Sequence, residues 1–187
     1  MVKDHGRWTL VLYTDGACID NGQLNPRAGW AFPYGSQKNP NVLSGRLEGK
    51  GPFGHDSPQT SNRAELRAVL AALRCRTWAV EIHHEIIVAT DSEYVVAGIT
   101  DWVKKWIKNG WVSSDNKPVK NRDLWEAVLG EVERFDELGT TIKFWKISRG
   151  DNKIADRFAK AAVYEQRPDQ FLDIGGVYDP LNSVAKH

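Results

Sequence analysis

The 187 residues suit one domain with ample chain to bury a single core, and 41% hydrophobic against 26% charged content is ordinary for a soluble globular protein. A formal net charge of +1 excludes any argument for a polyanionic partner from total charge, so only the distribution of charge can speak. Cys18 and Cys75 are too few for a disulfide framework, and no stretch approaches the ~20 apolar residues of a membrane span.

The start, Met1 to Trp8, has no apolar run for a secretory signal and carries an acid too early for a transit peptide, which points to an intracellular location, cytoplasm or nucleus. Trp8 to Thr14 predicts a strand that stops at Asp15-Gly16, read as a turn pair. Asn21 to Pro26 reads as a loop. Ala28–Pro33 and Val42–Glu48 predict two further strands, so the three suggest an antiparallel meander. Gly49 to Thr60, rich in Gly and Pro, reads as a long loop. Ser61 or Asn62 then caps a helix, with Glu65 placed as in a capping box. Leu66, Val69, Leu70 and Leu73 form its buried stripe.

Glu85 to Thr90 predicts a short apolar strand ending at Asp91. Helical pattern returns from Ser92 to about Asn109, broken near Gly98–Asp101, and again from Asn121 to Leu138. Thr141–Ser148 predicts a last strand, and Asp151 or Asn152 caps a last helix reaching about Gln166. The order β-β-β-α-β-α-α-β-α implies a mixed α/β sheet with helices on its faces. From Arg167 the chain carries two prolines and Gly175-Gly176 and is less patterned, so it is expected to pack loosely or to extend the domain.

Four acids stand at element ends: Asp15, Glu65, Asp91 and Asp156. Each has an ordinary alternative. An aspartate after a strand is usually a turn former or cap, a glutamate near a helix start serves the dipole, and Asp156 alone would be a solvated helix residue. Their joint pattern favours another role. Glu65 shares its helix side with Ala68 and Ala72, away from the leucines, and Asp156 lies ~200° around its helix from Ile154 at ~100° per residue. Both can face a shared cleft. Carboxylates suit Mg²⁺, a hard cation that takes oxygen ligands. Two such ions ~3.5–4 Å apart activate a water and stabilise the leaving oxygen of a phosphodiester.

Tyr13-Thr14-Asp15-Gly16-Ala17, Ser61-Asn62-Arg63-Ala64-Glu65-Leu66, Ala89-Thr90-Asp91-Ser92 and Asn152-Lys153-Ile154-Ala155-Asp156 resemble, in order, the four catalytic motifs of type 1 ribonuclease H. The resemblance spans roughly Thr9 to Ala162. It implies a five-stranded mixed sheet of order 3-2-1-4-5 flanked by helices. It also implies a Mg²⁺-dependent endonuclease that hydrolyses the RNA strand of RNA–DNA hybrids and leaves 5′-phosphate ends. Asp15, Glu65, Asp91 and Asp156 would then be the catalytic acids holding two ions, Mn²⁺ being a substitute, with Asp15 bridging both. A catalytic domain over 1–166 is expected, with 167–187 as the tail. The expected partner is the hybrid, bound by a monomer without an obligatory protein partner.

Between Trp102 and Arg122 stand Lys104, Lys105, Lys108, Lys117, Lys120 and Arg122 against one acid, Asp115. That is six minus one, or +5, so the rest of a +1 chain is net acidic by four. Basic charge interleaved with Trp102, Trp106 and Trp111 suits a nucleic-acid groove. The alternative is that tryptophans at i and i+4 pack a helix on the core while lysines solvate its outer face. The run also resembles the family's basic protrusion, which grips the DNA strand, and carries Asn121 with it. By the same resemblance, backbone at Gly16, Ala17 and Cys18 and the Asn62 side chain would touch the RNA strand, where a 2′-hydroxyl is sensed.

The chain departs from the family at the link Ser148-Arg149-Gly150-Asp151, too short for the mobile histidine loop of many relatives. The short version resembles ribonuclease H-like domains of filamentous fungi. His55, in the Gly-rich insertion, is a candidate substitute, whereas His83 and His84 read as surface residues.

Overall fold

The β-branched and aromatic residues that predict the first long strand carry it further than expected. β2 runs Arg7–Ile19, preceded by a short β1 at Val2–Asp4 that pairs antiparallel with its start. Asp15-Gly16 is therefore no turn. Residues Asp15–Ile19 pair antiparallel with Arg27–Ala31 of β3 (Arg27–Ser36), and ladder hydrogen bonds override the local turn preference. The reversal comes five residues later, where Asp20, Gly22 and Asn25 take positive φ of 54°, 79° and 59°. A computed structural model describes residues 2–4, 7–36, 39–75 and 84–174. His83 and Gly175-Gly176 lie outside them.

β4 (Asn39–Arg46) pairs antiparallel with β3. β5 (Glu85–Thr90) pairs parallel with β2, and β6 (Thr141–Lys146) parallel with β5. The order β4-β3-β2-β5-β6 is the expected 3-2-1-4-5, with β1 added beside β2. Helix α1 (Ser61–Arg74) is capped by neither Ser61 nor Asn62. Thr60 Oγ1 accepts from the Arg63 N–H at 3.3 Å, so Glu65 falls one turn inside the helix and is no capping-box residue.

The segment after β5 is α2 (Glu93–Ala97), a π-turn over Gly98–Trp102, and α3 (Val103–Lys108). The expected break at Gly98 has a packing cause: a Cβ there would run into the Trp125 ring. α4 (Arg122–Glu137) brings Leu124, Trp125, Val128 and Phe135 into the core beside Leu66, Val69, Leu70 and Leu73 of α1. α5 spans Lys153–Ala162, shorter than expected, and packs Ala159 and Ala162 on β3 at Gly29. Asp151 does not cap it. That carboxylate accepts from Ser148 Oγ at 2.8 Å inside a 3-10 turn over Arg149–Asp151.

One charge pair is fully buried. Arg67 of α1, 1% exposed, donates to Glu48, 2% exposed, at 2.7, 3.0 and 3.1 Å. Its guanidinium lies between the rings of Trp30 and Phe171, 4.6 and 4.5 Å from their centroids. Its remaining Nη2 reach goes to the Leu172 carbonyl at 2.8 Å. Residues 167–174 are thus pinned to the core by a charge and an aromatic ring, joined by the Gly49 N–H donating to Pro168 O. No helix among the described residues is long and apolar enough to cross a membrane.

Removing one partner of such a pair strands the other charge without water. Arg67→Ala is expected to lower the unfolding free energy by ~3–5 kcal/mol in urea titrations, with protease access to the 167–174 segment rising in parallel. A loss under ~1 kcal/mol would show that Glu48 is neutralised some other way.

Candidate active site

The parallel pairing of β2 and β5 ends at Thr14 opposite Thr90, so Asp15 and Asp91, the next residues, emerge side by side. Asp15 is 5% exposed and begins the antiparallel pairing with β3. Glu65 comes from the helix above. Gly16 permits that approach, because a Cβ there would fall on Glu65 N and Ala64 C. Carboxylate oxygens of Asp15, Glu65 and Asp91 lie within 4.8 Å of one another. Asp156 stands at the edge of this group. Its N–H bonds the Asn152 carbonyl at 3.0 Å in the first turn of α5, and its carboxylate pairs with Lys160 at 2.8 Å.

Like charges held this close in a dry site resist ionisation. Burial first, then the negative charges of Asp91 and Asp156, push the Asp15 carboxyl up to about 8, and the Gly16 N–H only partly opposes this. Burial first, then the charges of Asp15 and Asp91, raises Glu65 well above the ordinary glutamate range. Glu65 Oε2 is buried without a hydrogen-bond partner. An orphaned carboxylate oxygen beside two more carboxylates fits a divalent cation, which would satisfy the oxygen and cancel the repulsion together.

Asn152 is a residue that sequence reasoning took only for a helix cap. It sits at the N-cap position, 2% exposed, without a capping bond. Its Nδ2 instead donates to Asp91 Oδ1 and to the Thr14 carbonyl, both at 2.9 Å, and its Oδ1 is buried without a partner. One amide therefore ties the ends of β2 and β5 to the start of α5 and fixes the Asp91 carboxylate. On the other side of Asp91, the largely exposed Arg149 comes to 3.3 Å.

The expected nucleic-acid residues fall into two groups around this centre. Trp102, Trp106 and Trp111 are half-buried and packed ring against ring at tilted angles, and Trp106 meets Trp125 edge to face. Trp106 lies 5.8 Å from Trp102, 6.3 Å from Trp111 and 5.7 Å from Trp125 between ring centroids. The rings build the scaffold of the segment, while Lys104, Lys105, Lys108, Lys117 and Lys120 stand exposed on it. A bridge between Val112 and Pro118 closes the loop that carries Lys117. Asn62 and Asn121 line a common cleft of about 950 Å³ with Thr60, Lys120 and Arg122, and His55 lies on its wall. Arg63 walls it too, donating to Asp123 at 2.9 and 2.5 Å and joining the start of α1 to that of α4. Burial works most strongly against the Asp123 charge, but the Arg63 hydrogen bonds and charge, together with backbone N–H groups of Asp123 and Leu124, outweigh it and hold the carboxyl below its usual range. Gly16, Ala17 and Cys18 continue β2 away from Asp15, and Cys18 Sγ reaches the Gln59 carbonyl at 3.5 Å. Burial raises the Cys18 thiol, which leaves it a poor nucleophile.

The ribonuclease H family model matches residues 7–164. The ribonuclease H of Treponema pallidum subsp. pallidum is 38% identical over 164 residues, covering 82% of this chain and 90% of its own. That of Zymomonas mobilis is 35% identical over 159 residues, covering 82% and 88%. Among solved structures, the PFV RNase H domain matches with TM-score 0.59 and 26% identity over 85% of this chain and 96% of that one. LC11-RNase H1, solved in complex with an RNA/DNA hybrid, has TM-score 0.53 at 22% identity over 82% and 95%, a likeness of fold alone. The chain belongs to the ribonuclease H family, whose general activity is hydrolysis of the RNA strand of hybrids, and it is an enzyme of that family.

Because Asp15 is held protonated up to about pH 8 when folded and only to 3.8 when exposed, the folded state binds the extra proton between these values. Metal-free stability therefore falls as pH rises through that window. In EDTA, Asp15→Asn should be more stable than the parent at pH 8, with the gap closing toward pH 4 in urea titrations. Equal pH slopes for the two proteins would remove the like-charge account of the site.

Proposed function

We propose that the protein is a Mg²⁺-dependent endonuclease that cuts the RNA strand of RNA–DNA hybrids with two ions, leaving 5′-phosphate ends. The observation that carries this is the convergence of Asp15, Glu65 and Asp91 within 4.8 Å, one Glu65 oxygen buried and unpartnered, in a chain of this family. Asp15, Glu65, Asp91 and Asp156 would together hold the ions. Bound Mg²⁺ supplies Lewis acidity at the scissile phosphate and acidifies the attacking water.

The chain's own residues do the rest. Asn152 orients Asp91, and Gly16 lets the helix bearing Glu65 close on β2. Backbone at Gly16, Ala17 and Cys18, with the Asn62 side chain, faces the RNA strand. Asn121, Lys117 and Lys120, carried on the tryptophan scaffold with Lys104, Lys105 and Lys108, hold the DNA strand. Trp102, Trp106 and Trp111 lend ring edges to sugars. Among the described residues no histidine joins the carboxylates. His55 instead lines the cleft beside Asn62, so the missing loop bears on turnover rather than on cutting.

The protein would act as a monomer without an obligatory protein partner. The catalytic domain covers 1–166, and the packed segment after it extends it. The cysteine usage supports an intracellular setting. The relatives described above are bacterial, and the fungal affinity rests on the short link alone.

The test is a gel assay of hybrids labelled on either strand, in Mg²⁺ and in EDTA. Cutting confined to RNA, lost in EDTA and reduced by at least ~100-fold in Asp15→Asn, is expected. Replacing Lys117 and Lys120 by Ala should lower the log–log salt slope of hybrid binding by about 2, roughly 1 per phosphate contact. Tight hybrid binding without cutting would replace the enzyme by an inactive hybrid-binding module.

A further inference from the structure

A second basic cleft lies on the other side of β2 from β5. The turn after β2, the start of β3, the end of β4 and the segment after α5 enclose about 630 Å³ lined by Arg27, Arg46 and Arg167. One acid, Asp20, lines it against these three cations. None of the three guanidiniums has a carboxylate within ion-pair distance among the described residues, whereas the buried Arg63 and Arg67 both do. Arg46 is fixed by donating Nη1 to the Val163 carbonyl at 2.9 Å at the end of α5, while its Nε is buried without a partner. Burial and the like charges of Arg27 and Arg167 all disfavour its ionisation. The floor is rigid, since the buried Gln59 side chain accepts from Ala28 N and donates to the Leu47 and Glu48 carbonyls.

Three arginines lining one cleft, none of them in an ion pair with a described acid, suit an anion presented from outside. Position decides which anion. Arg27 pairs directly opposite Ile19, four residues along β2 from Asp15, or ~13 Å at ~3.3 Å per residue. That equals about four base-pair rises of ~3.4 Å.

We propose that this cleft takes a backbone phosphate of the hybrid about four base pairs from the cut. It would anchor the duplex on the side of the carboxylates opposite the basic tryptophan segment. The site rests on the hybrid-cutting reading and deepens it. The duplex is then held at both ends of its footprint, and the acidic centre between them meets a phosphate that is already positioned.

The variants should use the exposed Arg27 and Arg167 rather than Arg46, which also supports α5. Binding of labelled hybrids would be measured in the Asp15→Asn protein, with and without Arg27→Ala and Arg167→Ala, across a salt series. The pair of substitutions together should lower the log–log salt slope by about 1, the share of one phosphate contact. The effect should vanish on a hybrid trimmed to two base pairs beyond the cut on that side. A charge-reversing Arg27→Glu with Arg167→Glu should weaken binding to the long hybrid further, with circular dichroism unchanged. Equal slopes with all variants, or the same loss on long and trimmed hybrids, would overturn the proposal. If the unaltered protein neither binds nor cuts hybrid, the hybrid-cutting reading falls and takes the cleft with it, an outcome visible before any arginine is changed.

Discussion

The parallel register of β2 with β5 is the constraint on which the site depends. Because Thr14 pairs with Thr90, two aspartates that follow identical positions in neighbouring strands must emerge at one sheet end, a strand spacing of ~4.8 Å apart. Everything else closes around that pair. Gly16 lacks the Cβ that would strike the α1 backbone, so Glu65 can come down on Asp15. Asn152 bonds both strand ends from the start of α5, so the helix bearing Asp156 is aimed by the same two strands. A one-residue slip in this register would part the acids and turn Leu12 and Val88, both buried, out of the core. Core packing and site geometry are thus one specification.

Such a site works against folding. Asp15 and Glu65 both resist ionisation, and three orphaned buried polar atoms, Thr14 Oγ1, Glu65 Oε2 and Asn152 Oδ1, surround them. Unpartnered buried atoms each cost ~1–3 kcal/mol. The rest of the fold offsets this with features that have no catalytic part. These include the α1–α4 leucine and aromatic core, the Arg63–Asp123 fork that joins both helix starts, and the buried Arg67–Glu48 pair. The last binds residues 167–174 over the β3–α1 junction, so a segment beyond the family match holds the helix that delivers Glu65.

What could be read from the sequence follows how local the determining forces are. The strand order was legible through the family resemblance, and so was the grouping of Asp15, Glu65 and Asp91, because each of these acids sits in a short run of characteristic neighbours. The Asp15-Gly16 turn was misread: Asp-Gly favours a turn in isolation, but five ladder pairs with β3 carry the strand through it. Thr60 was passed over as a cap in favour of Ser61 and Asn62, since all three residue types cap equally well and only backbone geometry selects among them. Asn152 looked like a cap because Asn before a helix usually is one. Its bonds to Thr14, 138 positions away in sequence, leave no local signal. Arg27, Arg46 and Arg167 are likewise scattered singly and meet only through folding.

The distribution of charge explains how a chain of net charge +1 can serve a polyanion. At physiological salt, fields from exposed charges fade over ~8 Å, so a phosphate senses the nearest patch and not the total. The acidic centre alone would repel the strand to be cut. On the proposed reading, basic groups on both flanks would attract the duplex where it is not cut, and bound divalent cations would make the carboxylates tolerable to a phosphate. Substrate attachment and metal loading would then fall to separate surfaces of one molecule. The lysines and arginines would set how tightly the hybrid is held, and the carboxylates whether the phosphate between them can be approached at all. A fold that concentrated its positive charge at the carboxylates instead would neutralise them with side chains. It would then have no oxygen left for an ion.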